Sequence, residues 1–441
     1  MNIMIAGAGT VGYSLAQTLS HKHNIIVVDK NVKSLNRLEE RIDILTLHGN
    51  IDDPKTFQAL HINELDLFIA VTDSDEANLL SSLIIDDVMK VKKKIIRLKN
   101  SYFSKSTVLE KLNIDDAVFL DDLTAEKFEA LFDHAKANNV KRFAQTDHQL
   151  VSIRVACENS SDRTVSDLSG TEVRVLGIER EKHYFIPSYS ESIQTDDLIY
   201  FFGKREAIET LSISLNTIMP SKIQKVAIFG ANPLAQKIAQ TLLGKNLDIK
   251  MIDKDREACK EASANLQDNV TILNVAYDEH HLFEKEGLKN ADMVIAAGSN
   301  DEKNIVKCIE AKEYGVEKVL AINNDRAYYN LMHTLGIVVV RGSKIGAYYA
   351  ILEKISSTAA VTERHFCGGQ GVIFMRKMDV SDTLIGKETM TCYVHKCFMC
   401  ILREDEIVTL DNAGVFLEGD ILVVSAHAKE EEKIQKWIVT L

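Results

Sequence analysis

The chain has 441 residues, 46% of them hydrophobic, and a formal net charge of −12. That length exceeds one ordinary domain and suggests about three or four units, while the acidic balance argues against a nucleic-acid partner, because phosphate contacts need a basic face. The longest apolar runs, such as GIVVV at 336–340, fall short of the roughly 20 residues a membrane helix needs.

The N-terminal MNIMIAGAGT passes straight into an apolar strand and its turn, so no secretory signal is expected. The seven cysteines then read as free thiols of a soluble cytoplasmic protein. Residues 2–20, NIMIAGAGTVGYSLAQTLS, read as strand, glycine turn and helix, the context that a dinucleotide-binding turn requires. In it Gly7 allows the tight turn, Gly9 lets the backbone approach a pyrophosphate, and Gly12 lets helix and strand pack closely. The free amides at the helix start, around Thr10 and Val11, would face phosphate oxygens. Asp29 ends the second strand, 17 residues after Gly12. A carboxylate there accepts hydrogen bonds from ribose hydroxyls and repels a 2′-phosphate, which favours NAD over NADP.

Further along, Thr72 and Asp73 close the fourth strand. Asp73 and Ser74 precede a helical run that starts at Glu76, with Leu79, Leu80, Leu83 and Ile84 on one expected apolar face. Arg97 ends the fifth strand, where a guanidinium could pair with a phosphate; the alternative is a surface charge beside Lys93 and Lys94. Short apolar strands alternating with helical segments over the first ~135 residues predict a parallel sheet covered on both faces. Residues 121–143 read as one long helix leading away from this domain, and 148–218 as strand-rich with turn signals.

The pattern then repeats at an offset of 223 to 226 residues: HNIIVVDKN (23–31) matches LDIKMIDKD (247–255), and KKIIRLKNSYF (93–103) matches EKVLAINNDRAYY (317–329). A repeat this long is a duplicated domain pair rather than a solenoid. The chain therefore reads as α/β, with two Rossmann-like doubly wound parallel-sheet domains (1–135 and 222–356), each followed by a small α+β domain (136–220 and 357–441). The second glycine turn is altered. Gly230 remains, but Asn232 stands where Gly9 does, followed by Pro233, which lacks an N–H. Asn232 suits an N-cap and Pro233 the first helical position, so this turn is expected to cap its own helix and to bind a dinucleotide weakly or not at all. LAINN (320–324) carries no counterpart of Arg97. Asp253 survives and could still hold a ribose.

Near the C-terminus, Cys392, Cys397 and Cys400 with His395 could form a zinc site. The same stretch also reads as two short strands in which sulfur acts as a small hydrophobe, and no metal is assigned. DEHH at 278–281 reads as a solvated loop. No acid–base pair or nucleophile motif stands out, so no catalytic residue is assigned.

The stretches MIAGAGTVGYSLAQTL, IIVVDKN, LHGNIDDP, VTDSDEANLL and IIRLKN resemble the nucleotide-binding domain of the potassium-channel regulatory RCK (or KTN) proteins. VRVLGIEREKHYFIPSYSESIQTDDLIYFFG is similar to their companion C-terminal domain. Two tandem copies resemble the cytoplasmic subunits of bacterial Trk potassium-uptake systems. The resemblance implies a non-enzymatic regulatory subunit, peripheral at the inner face of the cell membrane, in which a ring of four chains assembles on a TrkH-type potassium-translocating subunit. It implies gating by NAD or NADH and by ATP or ADP, with NAD contacts at Gly7, Gly9, Thr10, Val11, Asp29, Thr72, Asp73 and Arg97. Asn50 departs from the family, which often has an acid there. The alternative is an NAD-dependent dehydrogenase, since a Rossmann fold does not fix function; a nucleotide-sensing transcription regulator is disfavoured by the acidic balance.

Overall fold

The computed structural model describes residues 1–441 except 61, 157–162, 216–221, 267–269, 277–280, 357–360 and 393–395. The chain forms two compact units, one of residues 1–125 with 341–354, the other of 126–340 with 355–441.

The first unit is built on β1 (Asn2–Ala6), β2 (Asn24–Asp29), β3 (Leu45–His48), β4 (Leu67–Ala70), β5 (Lys94–Leu98) and β6 (Asp116–Phe119), in the order β3-β2-β1-β4-β5-β6. All neighbours are parallel. Every residue of β4 and β5 is buried, as expected for strands covered on both faces. Met4, Val28, Phe57, Phe68, Ile85 and Ile96 share one apolar core. The helix α1 (Thr10–Leu19) follows β1, and α2 (Asp75–Val88) follows β4. The returning segment 341–354 brings Tyr348, whose hydroxyl lies 2.8 Å from Thr18 Oγ1 on α1.

Ser74 caps α2 as its sequence suggests, its Oγ accepting from the Ala77 amide at 3.1 Å. The apolar face expected on this helix is corrected. Asn78, Ser81, Ser82 and Ile85 face the sheet, whereas Leu80 is 45% and Leu83 50% exposed. Two small serines let the helix approach the strands closely, and Asn78 is held there by hydrogen bonds to strand-end backbone. Of the four residues expected there, Leu79 and Ile84 pack partly buried against the core, and Leu80 and Leu83 face outward.

The second unit holds three sheets. The first comprises β7 (Asn139–Phe143), β8 (Thr146–Arg154), β9 (Val173–Arg180), β10 (His183–Phe185) and β11 (Leu198–Gly203), antiparallel in the order β10-β9-β11-β8-β7. The long helix expected over 121–143 therefore ends early, spanning Leu120–Asp133, and its last five residues become the edge strand β7. Val140 and Phe143 of this strand are buried and Asn139 and Arg142 exposed. The helix end is closed by the buried Lys318, whose Nζ donates to the carbonyls of Leu131 (2.8 Å), His134 (3.1 Å) and Ala135 (2.6 Å). A cation at a helix C-terminus complements the partial negative charge there.

The second sheet repeats the topology of the first unit with β12 (Lys225–Phe229), β13 (Asp248–Asp253), β14 (Thr271–Asn274), β15 (Met293–Ala296), β16 (Lys318–Asn323) and β17 (Val338–Arg341), ordered β14-β13-β12-β15-β16-β17. Its helices α3 (Pro233–Leu242) and α4 (Asp301–Glu313) correspond to α1 and α2. The third sheet comprises β18 (Val361–Phe366), β19 (Gly371–Lys377), β20 (Cys397–Arg403), β21 (Glu406–Thr409) and β22 (Ile421–His427), ordered β18-β19-β22-β20-β21 and covered on one face by α5 (Glu431–Val439). The two five-stranded sheets share a core in which Leu150, Tyr200 and Phe202 meet Phe366, Ile373 and Val423.

In the cysteine segment Cys392 ends the helical turn Thr389–Cys392, and Cys397–Arg403 form a strand. Cys397 packs under α5 and Cys400 in the core on the opposite face, so these thiols cannot ligate one ion. Burial pushes Cys397 up to about 11 and Cys400 up to about 12, which disfavours the thiolate a metal needs. His395 and residues 278–280 lie outside the described residues. His281 lies within them, beside Glu284 at 3.1 Å.

Candidate functional site

In the first sheet the strand order reverses between β1 and β4. Open parallel sheets bind ligands at such a switch point, outside the carboxyl ends of the strands. A cavity of about 670 Å³ lies there, a size suited to a nucleotide. Gly7, Gly9, Thr10, Val11, Asp29, Thr72, Asp73 and Arg97 all line it, so the structure brings every residue singled out from the sequence to one place. Asn50, the departure from the family pattern, lines it too.

The three glycines of the turn have different reasons to be glycine. Gly7 has φ +113°, and a Cβ there would meet Thr72 at 3.1 Å. A Cβ on Gly12 would sit 1.8 Å from the Gly7 carbonyl oxygen. Both are demanded by the fold itself. Gly9 has an ordinary extended conformation, φ −68° and ψ −170°, and a Cβ there would meet nothing within 4 Å. The fold does not need this glycine. Its missing side chain leaves space in the cavity at the first turn of α1, where no side chain caps the helix and amides are available to an anion.

Asp29 at the end of β2 is fixed by two backbone donors, Ala8 N at 2.5 Å and Asn31 N at 2.7 Å. The carboxylate is thereby oriented between the glycine turn and the loop after β2. Arg97 is only 6% exposed. One of its guanidinium nitrogens lies 3.2 Å from the exposed Asp73 carboxylate, and its Nε has no hydrogen-bond partner among the described residues. A buried donor left unmatched is costly, and a phosphate or hydroxyl oxygen in the cavity would satisfy it. The site thus offers helix-start amides, an oriented carboxylate and a buried guanidinium, the complement of an anionic, hydroxyl-bearing ligand. No described group here forms a nucleophile–base pair.

Two contributors escape sequence reasoning. Asn78 is fully buried on α2; its Oδ1 accepts from Thr72 N (3.0 Å) and Thr72 Oγ1 (2.6 Å), and its Nδ2 donates to the carbonyls of Thr72 (3.1 Å) and Arg97 (2.9 Å). One carboxamide therefore ties together the ends of β4 and β5. The only available signal was the repeat: Asn304 on α4 makes the same bonds to Gly298 and Ile322. Lys344 also lines the cavity and reaches it from a segment some two hundred and fifty residues further along the chain, which no local pattern announces.

The second turn is closed as expected. Asn232 is the N-cap of α3, with Oδ1 accepting from Ala235 N at 2.9 Å and Nδ2 donating to the Ala297 carbonyl at 2.7 Å. Asp253 accepts from Ala231 N at 2.8 Å, as Asp29 does from Ala8. The place of Arg97 is taken by the buried, apolar Ile322, whose carbonyl Asn304 holds as Asn78 holds that of Arg97.

The fold and site define a tandem protein with two Rossmann-type units, of which the first has a turn open to a dinucleotide. The chain belongs to the TrkA-N domain family, whose model matches residues 3–120 and 226–341; residues 150–213 match the TrkA-C domain. It is 28% identical to a Trk system potassium uptake protein TrkA homolog of Archaeoglobus fulgidus, over 99% of both chains. It is 27% identical to the Trk system potassium uptake protein TrkA of Haemophilus influenzae, over 98% of this chain and 96% of that one. Among solved structures, the GsuK RCK domain shares the fold with a TM-score of 0.64 at 16% identity, covering 100% of this chain and 95% of that chain. A GsuK channel bound to NAD gives 0.63 at 17%, covering 100% and 79%. No helix among the described residues is long and apolar enough to cross a membrane.

Proposed function

We propose that this chain is a nucleotide-sensing regulatory subunit that gates a TrkH-type potassium-translocating membrane protein. In this reading residues 1–135 and 222–356 are paired nucleotide-binding domains, and 136–220 and 357–441 are their companions. NAD or NADH binds the first domain through Gly7, Gly9, Thr10, Val11, Asp29, Thr72, Asp73 and Arg97, and ATP or ADP competes for the same cavity. The observation that carries this is Gly9, a glycine that the fold does not require and whose missing side chain opens the cavity over the start of α1. A GsuK channel of similar fold binds NAD, which supports this choice of ligand. The relatives are named for a potassium uptake system rather than for an oxidoreductase, which favours the regulatory reading over the dehydrogenase.

The subunit acts as a ring-like homo-oligomer, a tetramer, peripheral at the cytoplasmic face of the membrane. Its contacts are placed at the exposed Leu80 and Leu83 of α2 and at the 57% exposed Val306 at the corresponding place on α4. The experiment is co-purification with a TrkH-type subunit, followed by potassium flux into vesicles with and without NAD, NADH, ATP and ADP. Flux that depends on the subunit and changes with nucleotide is expected. Failure to associate, or steady oxidation of a small alcohol or hydroxy acid with NAD, would overturn it.

A further inference from the structure

We propose that Glu363, His365 and Glu431 form a binding site for a divalent transition-metal cation, zinc being the best match to the donors. Glu363 and His365 lie two apart on β18, so their side chains leave the strand on one face, the face covered by α5. Glu431 stands in the first turn of α5. His365 Nε2 lies 3.0 Å from Glu431 Oε2 and 3.7 Å from Glu363 Oε1, and the three potential ligand atoms all fall within 4.8 Å of one another. Ligands about 2.0–2.2 Å from a tetrahedral zinc are spaced roughly 3.4 Å apart. The trio is therefore close to that arrangement before any ion arrives, with one position left open.

Glu363 carries the argument further. Its side chain is 0% exposed, and its Oε2 accepts from Gln435 Nε2 at 3.0 Å, one helical turn beyond Glu431. That amide fixes the carboxylate so that its other oxygen points at His365, as outer hydrogen bonds orient the ligands of metal sites. Two carboxylates and one imidazole brought together form a donor set with affinity for a cation, and buried carboxylates such as Glu363 are commonly found paired or coordinating metals. An imidazole among two carboxylates suits zinc and its neighbours better than calcium or magnesium, which take oxygen ligands.

The duplicated chain supplies a control. In the other five-stranded sheet, the edge strand β7 pairs with β8 in the register that β18 keeps with β19. Val140 and Arg142 occupy the places of Glu363 and His365. Arg205 opens the helix Arg205–Ile213 where Glu431 opens α5. The architecture thus forms with an apolar residue and two arginines at these positions, so packing alone does not call for the buried carboxylate or its two partners.

The test uses the full chain without an oligohistidine tag, stripped with chelator and titrated with zinc chloride by calorimetry. One zinc per chain is expected, with a rise in melting temperature. His365→Gln and Glu431→Gln should each weaken binding at least about tenfold, since even outer-shell changes cost 10- to 100-fold. His281→Gln, at the exposed histidine beside Glu284, should bind as the wild type. Glu431 is on the surface of a helix's first turn, so Glu431→Gln is expected to melt as the wild type does in chelator, and it remains decisive if His365→Gln does not fold. No zinc uptake, unchanged affinity in folded Glu431→Gln, or a loss of affinity in His281→Gln instead, would overturn the proposal.

Discussion

Replacing Gly9 by asparagine would write the second turn into the first. The two backbones are nearly the same there, φ −68° and ψ −170° at Gly9 against φ −66° and ψ 168° at Asn232, so Gly9→Asn introduces no backbone strain. By analogy with Asn232, the new Oδ1 would accept from the Gly12 amide and the Nδ2 would donate to the Val71 carbonyl. An asparagine N-cap is worth a few tenths of a kcal/mol over glycine, so stability should hold or rise slightly. The same side chain would fill the space over the start of α1 and consume a donor offered to the pyrophosphate. Losing one hydrogen bond to a charged group costs about 1.5–3 kcal/mol, or roughly 10- to 150-fold in affinity. Calorimetry on the full chain should show one NADH per wild-type chain and severely weakened binding in Gly9→Asn, while urea denaturation shows the variant at least as stable. Unchanged affinity in the folded variant would refute the passage of the pyrophosphate over Gly9. Two tight sites per wild-type chain would refute the closure of the second turn.

Three further outcomes follow from the same structure. Asp29→Ala should weaken NAD or NADH binding by about 1–3 kcal/mol and also lower stability, because the Ala8 and Asn31 amides lose their acceptor; calorimetry showing unchanged affinity would remove Asp29 from the site. Leu83→Glu should reduce the oligomer measured by light scattering without lowering the melting temperature, since Leu83 is half exposed in the single chain; an unchanged multimer would exclude α2 from the interface. Burial pushes the Lys318 ammonium down from its ordinary 10.5 to about 7. Between those values the unfolded chain binds a proton that the native chain has shed, so native stability rises with pH above about 7, by at most about 1.4 kcal/mol per pH unit. Below about 7 both states hold the proton and this gain is absent. Lys318→Met should flatten the slope in urea denaturation between about pH 7 and 9.5; equal slopes would contradict the shift.

The glycine turn, Asp29 and the duplication were legible because each is local or repeated. Gly7, Gly9 and Gly12 sit within one turn, and a parallel strand announces itself as a continuous apolar run. Arg97 was ambiguous in sequence, since a lysine-flanked arginine reads equally as surface charge; only burial beneath the cavity separates the two. The outward face of α2 was misread because periodicity reports where apolar residues are, not which face the strands will meet. There Asn78, Ser81 and Ser82 won the sheet through hydrogen bonding and close approach. The ending of the helix at Asp133 depends on Lys318, nearly two hundred residues away, and the trio of Glu363, His365 and Glu431 spans a gap of 66 residues. Contacts between distant segments leave no period in the chain.

The two Rossmann units show how little separates a ligand-binding turn from a structural one. Both keep the tight-turn glycine with positive φ, Gly7 at +113° and Gly230 at +124°. Both keep the acid at the end of the second strand and the asparagine that clamps two strand ends. These features serve the fold, so they persist whether or not a ligand is present. The differences fall at the helix start and on the fifth strand. Asn232 gives its helix a side-chain cap, and the apolar Ile322 replaces a buried guanidinium whose Nε lacks a partner among the described residues. In the first unit the helix start has no side-chain cap and the Nε of Arg97 has no partner among the described residues, and an unsatisfied buried donor favours the state in which something fills it. In the proposed reading a ligand would satisfy these groups in the first unit, which the self-capped second unit satisfies by itself. Regulation needs more than tight binding, because a ligand shifts a conformational equilibrium only by its unequal affinity for the two states. Arg97 and Asp73 are well placed to transmit it: a phosphate drawn to the guanidinium competes with the exposed Asp73 carboxylate on the loop that leads into α2. That helix carries the outward Leu80 and Leu83, so the contact a ligand would disturb lies at the start of the helix whose surface is proposed to hold the assembly.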